Sequence, residues 1–338
     1  MLSFVVVGSG YRAQFYGRIA KKHPELFRAM FLCRSQAKVD FMQEMGMQAT
    51  TSLAACEQFQ PDFIVVAATK KDLGEIAAVW ADKGYPVAME TPAGISLAQL
   101  EALHALHEKS ARITVFEQYH RYPILAAGLH ELTLGRIGNP SSAYISLAHE
   151  YHAASLLRRM LDTLGEGYSM IGTRSKNTVV ETDSRYGRIL DGRTSVRQRD
   201  VVTICYESGK MALYDFSGLQ YHSLIRSRHL IVRGDKGEWN DDYMVFLDEN
   251  NNPVHKKLVP LQHPVLEVPD LLETGLTLDN DQDEYAIATM LLDMGEFIDT
   301  GKEPYPLGEA LDDAYFAVFM KEALECPGKT IASKKMPW

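Results

Sequence analysis

Phe4-Val5-Val6-Val7-Gly8-Ser9-Gly10-Tyr11-Arg12-Ala13 runs from an apolar strand straight into a glycine turn. The first glycine permits a tight turn, the second lets the backbone approach a pyrophosphate, and Ala13 is small enough for helix and strand to pack. Amides opening the following helix would then face phosphates. A lone Gly-x-Gly-x-x-Ala is weak; here its place between an apolar strand and a helical run favours a dinucleotide site. The competing reading is an ordinary strand-to-helix turn in another α/β protein.

Outward from this turn, strand-like and helix-like segments alternate through residue 118, the pattern of a parallel sheet covered on both faces. Helices are expected at Tyr11–Lys22, Ala37–Met45, Leu73–Lys83 and Leu97–Lys109. Strands are expected at Ala29–Cys33, Phe63–Ala68, Val87–Glu90 and Ile113–Gln118. Helical segments then follow at Ile124–Leu134 and Ala153–Leu164. From Tyr168 to about Pro260 the chain breaks into short alternating segments, clearest at Val201–Tyr206, Met211–Phe216 and His229–Arg233. Two helices, Glu284–Asp299 and Leu307–Leu324, close it. The expected fold class is α/β: a doubly wound Rossmann domain over residues 1–118, then an α+β domain with a largely antiparallel sheet over 119–338.

Composition narrows the partners. With 338 residues, 46% hydrophobic and 23% charged, the chain is long enough for two cores. Acidic residues outnumber basic ones 44 to 35, a net charge of −9 that argues against a nucleic-acid partner. No apolar run is long enough to span a membrane, and Met1–Gly8 reads as a strand instead of a signal peptide. Cys33, Cys56, Cys205 and Cys326 are widely spaced, which suggests reduced thiols of a cytoplasmic protein and no metal site.

Five further pieces carry a family likeness: Thr69, Glu90-Thr91-Pro92, Glu117-Gln118-Tyr119-His120-Arg121-Tyr122-Pro123, His152, and Tyr305-Pro306-Leu307-Gly308-Glu309-Ala310-Leu311-Asp312-Asp313-Ala314. With the glycine turn, and in this order, they resemble the glucose-fructose oxidoreductase, inositol dehydrogenase and rhizopine-catabolism family (Gfo/Idh/MocA) over almost the whole length. The resemblance implies NAD or NADP on the first domain and a sugar, glycoside or cyclitol substrate under the second. It also implies hydride transfer at a secondary alcohol while a protein group moves the hydroxyl proton. Cofactor contacts are expected from the glycine turn (Gly8, Ser9, Gly10, Tyr11, Arg12, Ala13) and from Arg34, Ser35, Thr69, Glu90 and Gln118. Glu90 is expected to act as a structural anchor.

Departures from the family pattern bear on the chemistry. Its usual Glu-Lys-Pro reads Glu90-Thr91-Pro92, and a threonine can orient a hydroxyl without lowering its pKa by charge. Its Asp-x-Gly-x-His-x-x-Asp keeps only His152, while Ala148, Glu150 and Ser155 replace the rest. After Thr69, where a proline is usual, stand Lys70 and Lys71, then Gly74. His152 is the candidate acid/base, set against a packed or capping histidine. His149 either binds substrate or points to solvent. Tyr119 and His120 either hydrogen-bond substrate or pack at the domain junction. Gln220-Tyr221-His222 and Arg226, Arg228 and His229 form a basic stretch, read as a solvated sheet edge or as contacts to a charged or polyhydroxylated substrate. Cys33-Arg34-Ser35 lacks the acid that NAD sites place after the second strand, which favours NADP.

The expectation is an NAD(P)-dependent oxidoreductase using His152, Tyr119, His149 and Thr91, assembled as a homo-oligomer (dimer or tetramer) through an exposed sheet face. Two alternatives stay open: a redox-neutral enzyme with retained nicotinamide, or a non-catalytic cofactor-binding sensor.

Overall fold

The computed structural model describes residues 1–269, 276 and 279–338. Strand β1 (Leu2–Val7) leads into α1 (Tyr11–Lys22), β2 (Phe27–Leu32), α2 (Gln36–Glu44), β3 (Ala49–Thr50) and α3 (Leu53–Gln58). Then come β4 (Phe63–Val66), α4 (Leu73–Asp82), β5 (Val87–Met89), α5 (Leu97–His107) and β6 (Ile113–Val115). These strands form one parallel sheet in the order β3-β2-β1-β4-β5-β6. Phe4, Val5 and Val6 and all of β4 are buried, as helices on both faces require of central strands. Strand order reverses between β1 and β4, so a crevice opens at their carboxyl ends.

The second part begins with a single turn of 3₁₀ helix, Tyr119–Arg121, then α6 (Pro123–Thr133), β7 (Pro140–Ser146) and α7 (Glu150–Leu161). It continues through β8 (Tyr168–Val180), β9 (Asp183–Ser184), β10 (Gly187–Arg188), β11 (Thr194–Tyr206), β12 (Met211–Phe216), a 3₁₀ segment Gly218–His222, and β13 (His229–Gly234). Strands β14 (Gly237–Asn240), β15 (Tyr243–Leu247) and β16 (Pro253–Lys257), helices α8 (Asn280–Thr300) and α9 (Leu307–Glu325), and β17 (Ile331–Ala332) complete it. Nine strands make the second sheet, in the order β16-β15-β14-β13-β7-β12-β11-β8-β17, antiparallel except where β12 pairs with β7.

One expectation needs correcting. Instead of short segments, β8 and β11 are 13 residues each and pair along their whole length, from Tyr168 opposite Tyr206 to Val180 opposite Thr194. Their distal halves carry Arg174, Lys176, Asn177, Arg197, Gln198 and Arg199, so they lack the alternation of a half-buried strand. Cross-strand charge pairs support them there, such as Arg174 Nε to Asp200 Oδ1 at 2.6 Å.

Helix α7 is fixed against α9 by a buried ionic knot. Arg158 donates from Nη2 to Asp313 Oδ1 at 2.5 Å and to the Glu309 carbonyl at 2.9 Å, and the Tyr305 hydroxyl donates to Asp313 Oδ2 at 2.5 Å. Burial alone would lower the Arg158 guanidinium and raise the Asp313 carboxyl; Asp313 reverses the first, and Asp313 itself ends at about 7. The C-terminal segment also reaches the first part: Thr114 Oγ1 of β6 donates to the Tyr305 carbonyl at 2.9 Å, just before α9, and Arg18 of α1 pairs with Glu284 of α8. Residue 118 thus ends the parallel-sheet segment, while α8 and α9 pack on both parts.

Candidate active site

A cavity of about 380 Å³ opens at the crevice, lined from both parts of the chain. Tyr11 and Arg12, at the start of α1, line it beside Ala67 and Ala68, and the glycine turn lies immediately before them. Gly8 has φ 141°, and a Cβ there would stand 2.2 Å from the Ala67 carbonyl oxygen of the neighbouring strand, so only glycine fits. At Gly10, the N-cap of α1, a Cβ would meet nothing within 4 Å. The open approach to the first amides of a 12-residue helix is the shape a phosphate group requires. Ala13 is buried against the sheet.

Arg12 is committed elsewhere. Its Nε donates to Glu90 Oε1 at 2.8 Å, and its Nη1 pairs with Asp283 of α8. Burial would lower the guanidinium pKa, but Asp283 and Glu90 raise it well above its ordinary value. Glu90 also accepts from the Tyr16 hydroxyl at 2.7 Å, which makes it the anchor that holds α1 to β5. Gln118 donates to Asp283 Oδ1 at 2.9 Å and leaves its own buried Oε1 without a partner among the described residues. Thr69 hydrogen-bonds Asp72 at the head of α4 and does not line the cavity. Arg34 and Ser35 lie exposed just past β2, outside the cavity, and Ser9 hydrogen-bonds Cys33 beside them.

The opposite wall carries the titratable groups. Nδ1 of His152 lies 2.5 Å from Glu117 Oε2, both residues buried, and Glu117 also accepts from the Tyr119 amide at 3.1 Å. With Nδ1 occupied, Nε2 is the ring nitrogen left for a ligand. Burial pushes the Glu117 carboxyl up to about 8, against the pull of the Tyr119 amide and Arg12. Burial, with Arg12 adding to it, holds the His152 imidazolium well below its usual range. The Tyr119 ring packs 4.2 Å from that of His152.

His149 is neither a solvent-facing residue nor part of the Glu117 pair. It is the N-cap of α7, its Nδ1 is 2.5 Å from the Tyr221 hydroxyl, and its Nε2 is 2.7 Å from that of Tyr151. The Tyr221 oxygen also accepts the His149 amide at 3.0 Å and hydrogen-bonds the Tyr119 side chain. The ring thus bridges two tyrosine hydroxyls, and that of Tyr151 also hydrogen-bonds Thr91. Burial, then the charges of His152 and Lys70, keep His149 neutral by lowering its pKa well below 6.5. Glu150, between them, has φ 35°, a left-handed turn that starts the helix with His149 and His152 on one side.

Other expectations divide. Tyr119 and Thr91 line the cavity, whereas His120 turns away to stack on Tyr305 at 5.4 Å and accept from Arg121. The basic stretch splits too: Tyr221, His222 and Arg228 line the cavity, while Gln220 is buried on Ser146, and Arg226 and His229 are exposed. Glu117, Tyr151, Lys70, Arg185 and Asp283 are site residues to which sequence reasoning gave no role: Glu117 stood only in a family motif and Lys70 only as a departure from one. Glu117 and Asp283 carry no local signal, since each acts through a partner far along the chain.

Among the described residues, no group of three or more His, Cys, Asp or Glu is arranged to hold a metal ion, and no helix is long and apolar enough to cross a membrane. No family model matches this chain, and no curated protein matches it. Solved structures do. An oxidoreductase from Agrobacterium radiobacter, crystallised with NAD⁺, L-tartaric acid and magnesium, is 14% identical, with a TM-score of 0.73 and 98% of each chain covered. A Desulfitobacterium hafniense protein assigned provisionally as an NADPH-dependent oxidoreductase is 12% identical, with a TM-score of 0.70 and coverage of 98% of this chain and 97% of that one. A Sinorhizobium meliloti protein assigned provisionally as a myo-inositol dehydrogenase is 14% identical, with a TM-score of 0.68 and coverage of 98% and 99%. The chain therefore has, over nearly its full length, the two-part fold of NAD(P)-dependent oxidoreductases.

Proposed function

We propose that this protein is an NAD(P)-dependent oxidoreductase that oxidises a secondary alcohol of a sugar-like molecule, with His152 moving the hydroxyl proton. The observation that carries the reading is the buried Glu117–His152 pair, whose histidine lines a cavity that also reaches Tyr11 and Arg12, directly after the glycine turn. Gly8, Ser9, Gly10 and the first amides of α1 would hold the pyrophosphate. The unpartnered Gln118 Oε1 is an acceptor available to the cofactor's carboxamide. Arg34, exposed past β2 where an acid would select the ribose hydroxyl, supports a preference for NADP. When bound, the nicotinamide supplies hydride acceptance.

The chain's own residues do the rest. Glu117 as carboxylate accepts Nδ1–H of His152 and leaves Nε2 free to take the alcohol proton; the protonated pair returns it in the reverse direction. Thr91 and the Tyr151 hydroxyl orient the substrate oxygen. Tyr119 packs on the imidazole and restricts its rotation. A second reading rests on His149: two neutral imidazoles with ring centres 4.8 Å apart suit transient oxidation that labilises a neighbouring proton, with no net redox change.

The test is turnover of NAD⁺ and NADP⁺ against a panel of sugars, glycosides and cyclitols. His152→Ala is expected to bind cofactor normally and to lose about 10²- to 10⁴-fold in turnover. Failure of the wild type to bind either cofactor, or full activity in the variant, overturns the proposal.

A further inference from the structure

The cavity holds an ammonium without a carboxylate partner. Lys70, directly after the cavity-lining strand end of β4, places Nζ over the face of Tyr151, 5.0 Å from the ring centre. It lines the cavity at its exposed rim and makes no ion pair among the described residues. Surrounding protein lowers its pKa by desolvation, and Glu150 opposes this only at a distance. On the far side of His149, the Arg228 guanidinium stands over the Tyr221 ring, 5.5 Å from its centre. Two cations thus rest on the two tyrosines whose hydroxyls bracket His149.

The cavity's acids are engaged. Glu90 and Asp283 are taken by Arg12, and Asp279 caps α8 by accepting from the Gln282 amide at 3.0 Å. An ammonium held at the rim of a cavity over an aromatic face is placed to meet an anion entering it, and the tyrosine face alone supplies no counter-charge. In a protein of net charge −9, a positively lined cavity also draws anions selectively to this one place.

We propose that the substrate carries a carboxylate, a hydroxy acid or sugar acid and not a neutral polyol, and that Lys70 is the residue that binds it. This rests on the oxidoreductase reading for the word substrate, but the site itself stands on the placement of Lys70. The carboxylate meets the ammonium above Tyr151 and leaves the neighbouring hydroxyl within the reach of Tyr151, Thr91 and His152. Lys70 therefore sets specificity by charge and takes no proton.

The experiment compares tartrate with threitol, the tetrol that differs from it only by –CH₂OH in place of each carboxylate. Calorimetric titration into the NAD(P)⁺-loaded protein is expected to show tartrate binding about tenfold to a hundredfold tighter than threitol, the worth of one charge-assisted contact. Lys70→Gln should abolish that difference and leave threitol and cofactor affinities unchanged. Absent tartrate binding, equal binding of the two probes, or undiminished tartrate binding in Lys70→Gln overturns the proposal. So does a loss of cofactor affinity in Lys70→Gln with tartrate binding kept, which would assign the ammonium to a cofactor phosphate. Lys70-dependent tartrate binding in a protein that oxidises no alcohol upholds the anion site and removes the oxidoreductase reading. Turnover of neutral polyols indifferent to Lys70→Gln does the reverse.

Discussion

Glu117 Oε2 and His152 Nδ1 stand 2.5 Å apart with both residues buried, a separation at which protons of two groups are exchanged as those of a pair. The proton has little freedom there. Burial disfavours both the carboxylate and the imidazolium, so near neutrality the pair retains its proton, and it releases it as pH rises through about 8.

In the proposed mechanism, oxidation of an alcohol uses the deprotonated pair and reduction the protonated one. The oxidative rate is expected to rise with pH to a plateau above about 8, and the reductive rate to fall over the same range. Glu117→Gln donates its amide hydrogen to Nδ1 and forces the proton onto Nε2, the wrong tautomer for a base. That variant should lose the oxidative pH limb and about 10²-fold or more of its rate. A pH–rate profile unchanged in Glu117→Gln would show that the carboxyl only packs against the ring.

Stability of the folded chain carries the same sign at Glu117. Its folded pKa is raised above the unfolded value, so the folded state holds the extra proton between about 4.5 and 8, and the carboxyl's contribution declines as pH climbs through that window. His152, with its folded pKa lowered, opposes this only below 6.5. Denaturant midpoints are therefore expected to fall from pH 6.5 to pH 8 in the wild type and to flatten in Glu117→Gln. Equal slopes in the two proteins would count against the buried pair.

The ionic knot of α7 and α9 explains why a site at the crevice depends on residues near the C-terminus. Asp313→Asn leaves the buried Arg158 charge with only the longer contact to Asp312, at 3.9 Å, and should destabilise by about 3 kcal/mol. The double change Arg158→Met with Asp313→Leu should recover most of that loss, because two apolar groups need no desolvated charge balanced. Chemical denaturation of the three variants measures both quantities. A double variant no better than Asp313→Asn would mean that the knot's hydrogen bonds, not its charge, hold α7.

How much of this was legible in the chain follows from where each signal lies. The run Phe4–Val7 into Gly8 could be read because a strand buried on both faces is apolar at every position, and because Gly8 alone fits against Ala67. Strands β8 and β11 could not, because Arg174, Lys176, Arg197 and Arg199 keep both faces polar where no helix covers them. His152 was visible by its place in a motif, but Glu117 lies 35 residues away, and nothing local marks it as the partner of a histidine. Lys70 was visible only as a departure. Its meaning needed Tyr151 beneath it.

Self-association has a surface to use. Ile171, Thr203 and Leu213 stand in register across β8, β11 and β12, on the face opposite the buried row Met170, Ile204 and Ala212. Ile171 and Leu213 are exposed large apolar residues, with Met211 and Val196 further exposed on the same strands. We expect the wild type to sediment as a dimer or tetramer and Leu213→Glu with Ile171→Glu to sediment as a monomer. A wild type that is monomeric at micromolar concentration removes this proposal.

Thr91 gives the sharpest test between the two chemical readings, because it lines the cavity beside Tyr151 and near the Glu117–His152 pair. An ammonium introduced there by Thr91→Lys would favour the carboxylate of Glu117 and oppose protonation of His152, so it lowers the pKa of the pair. If the protein is a net oxidoreductase, the oxidative limb should move below pH 8, and turnover at pH 7 should hold or rise, since the same charge stabilises a developing alkoxide. If oxidation is only transient, the added cation competes for the ketone oxygen and slows the step that follows it. The measurement follows nicotinamide reduction and product identity together, in wild type and Thr91→Lys on one substrate. A variant that folds, binds cofactor and reduces nicotinamide faster supports net oxidation; loss of native product with cofactor binding intact supports the redox-neutral cycle around His149.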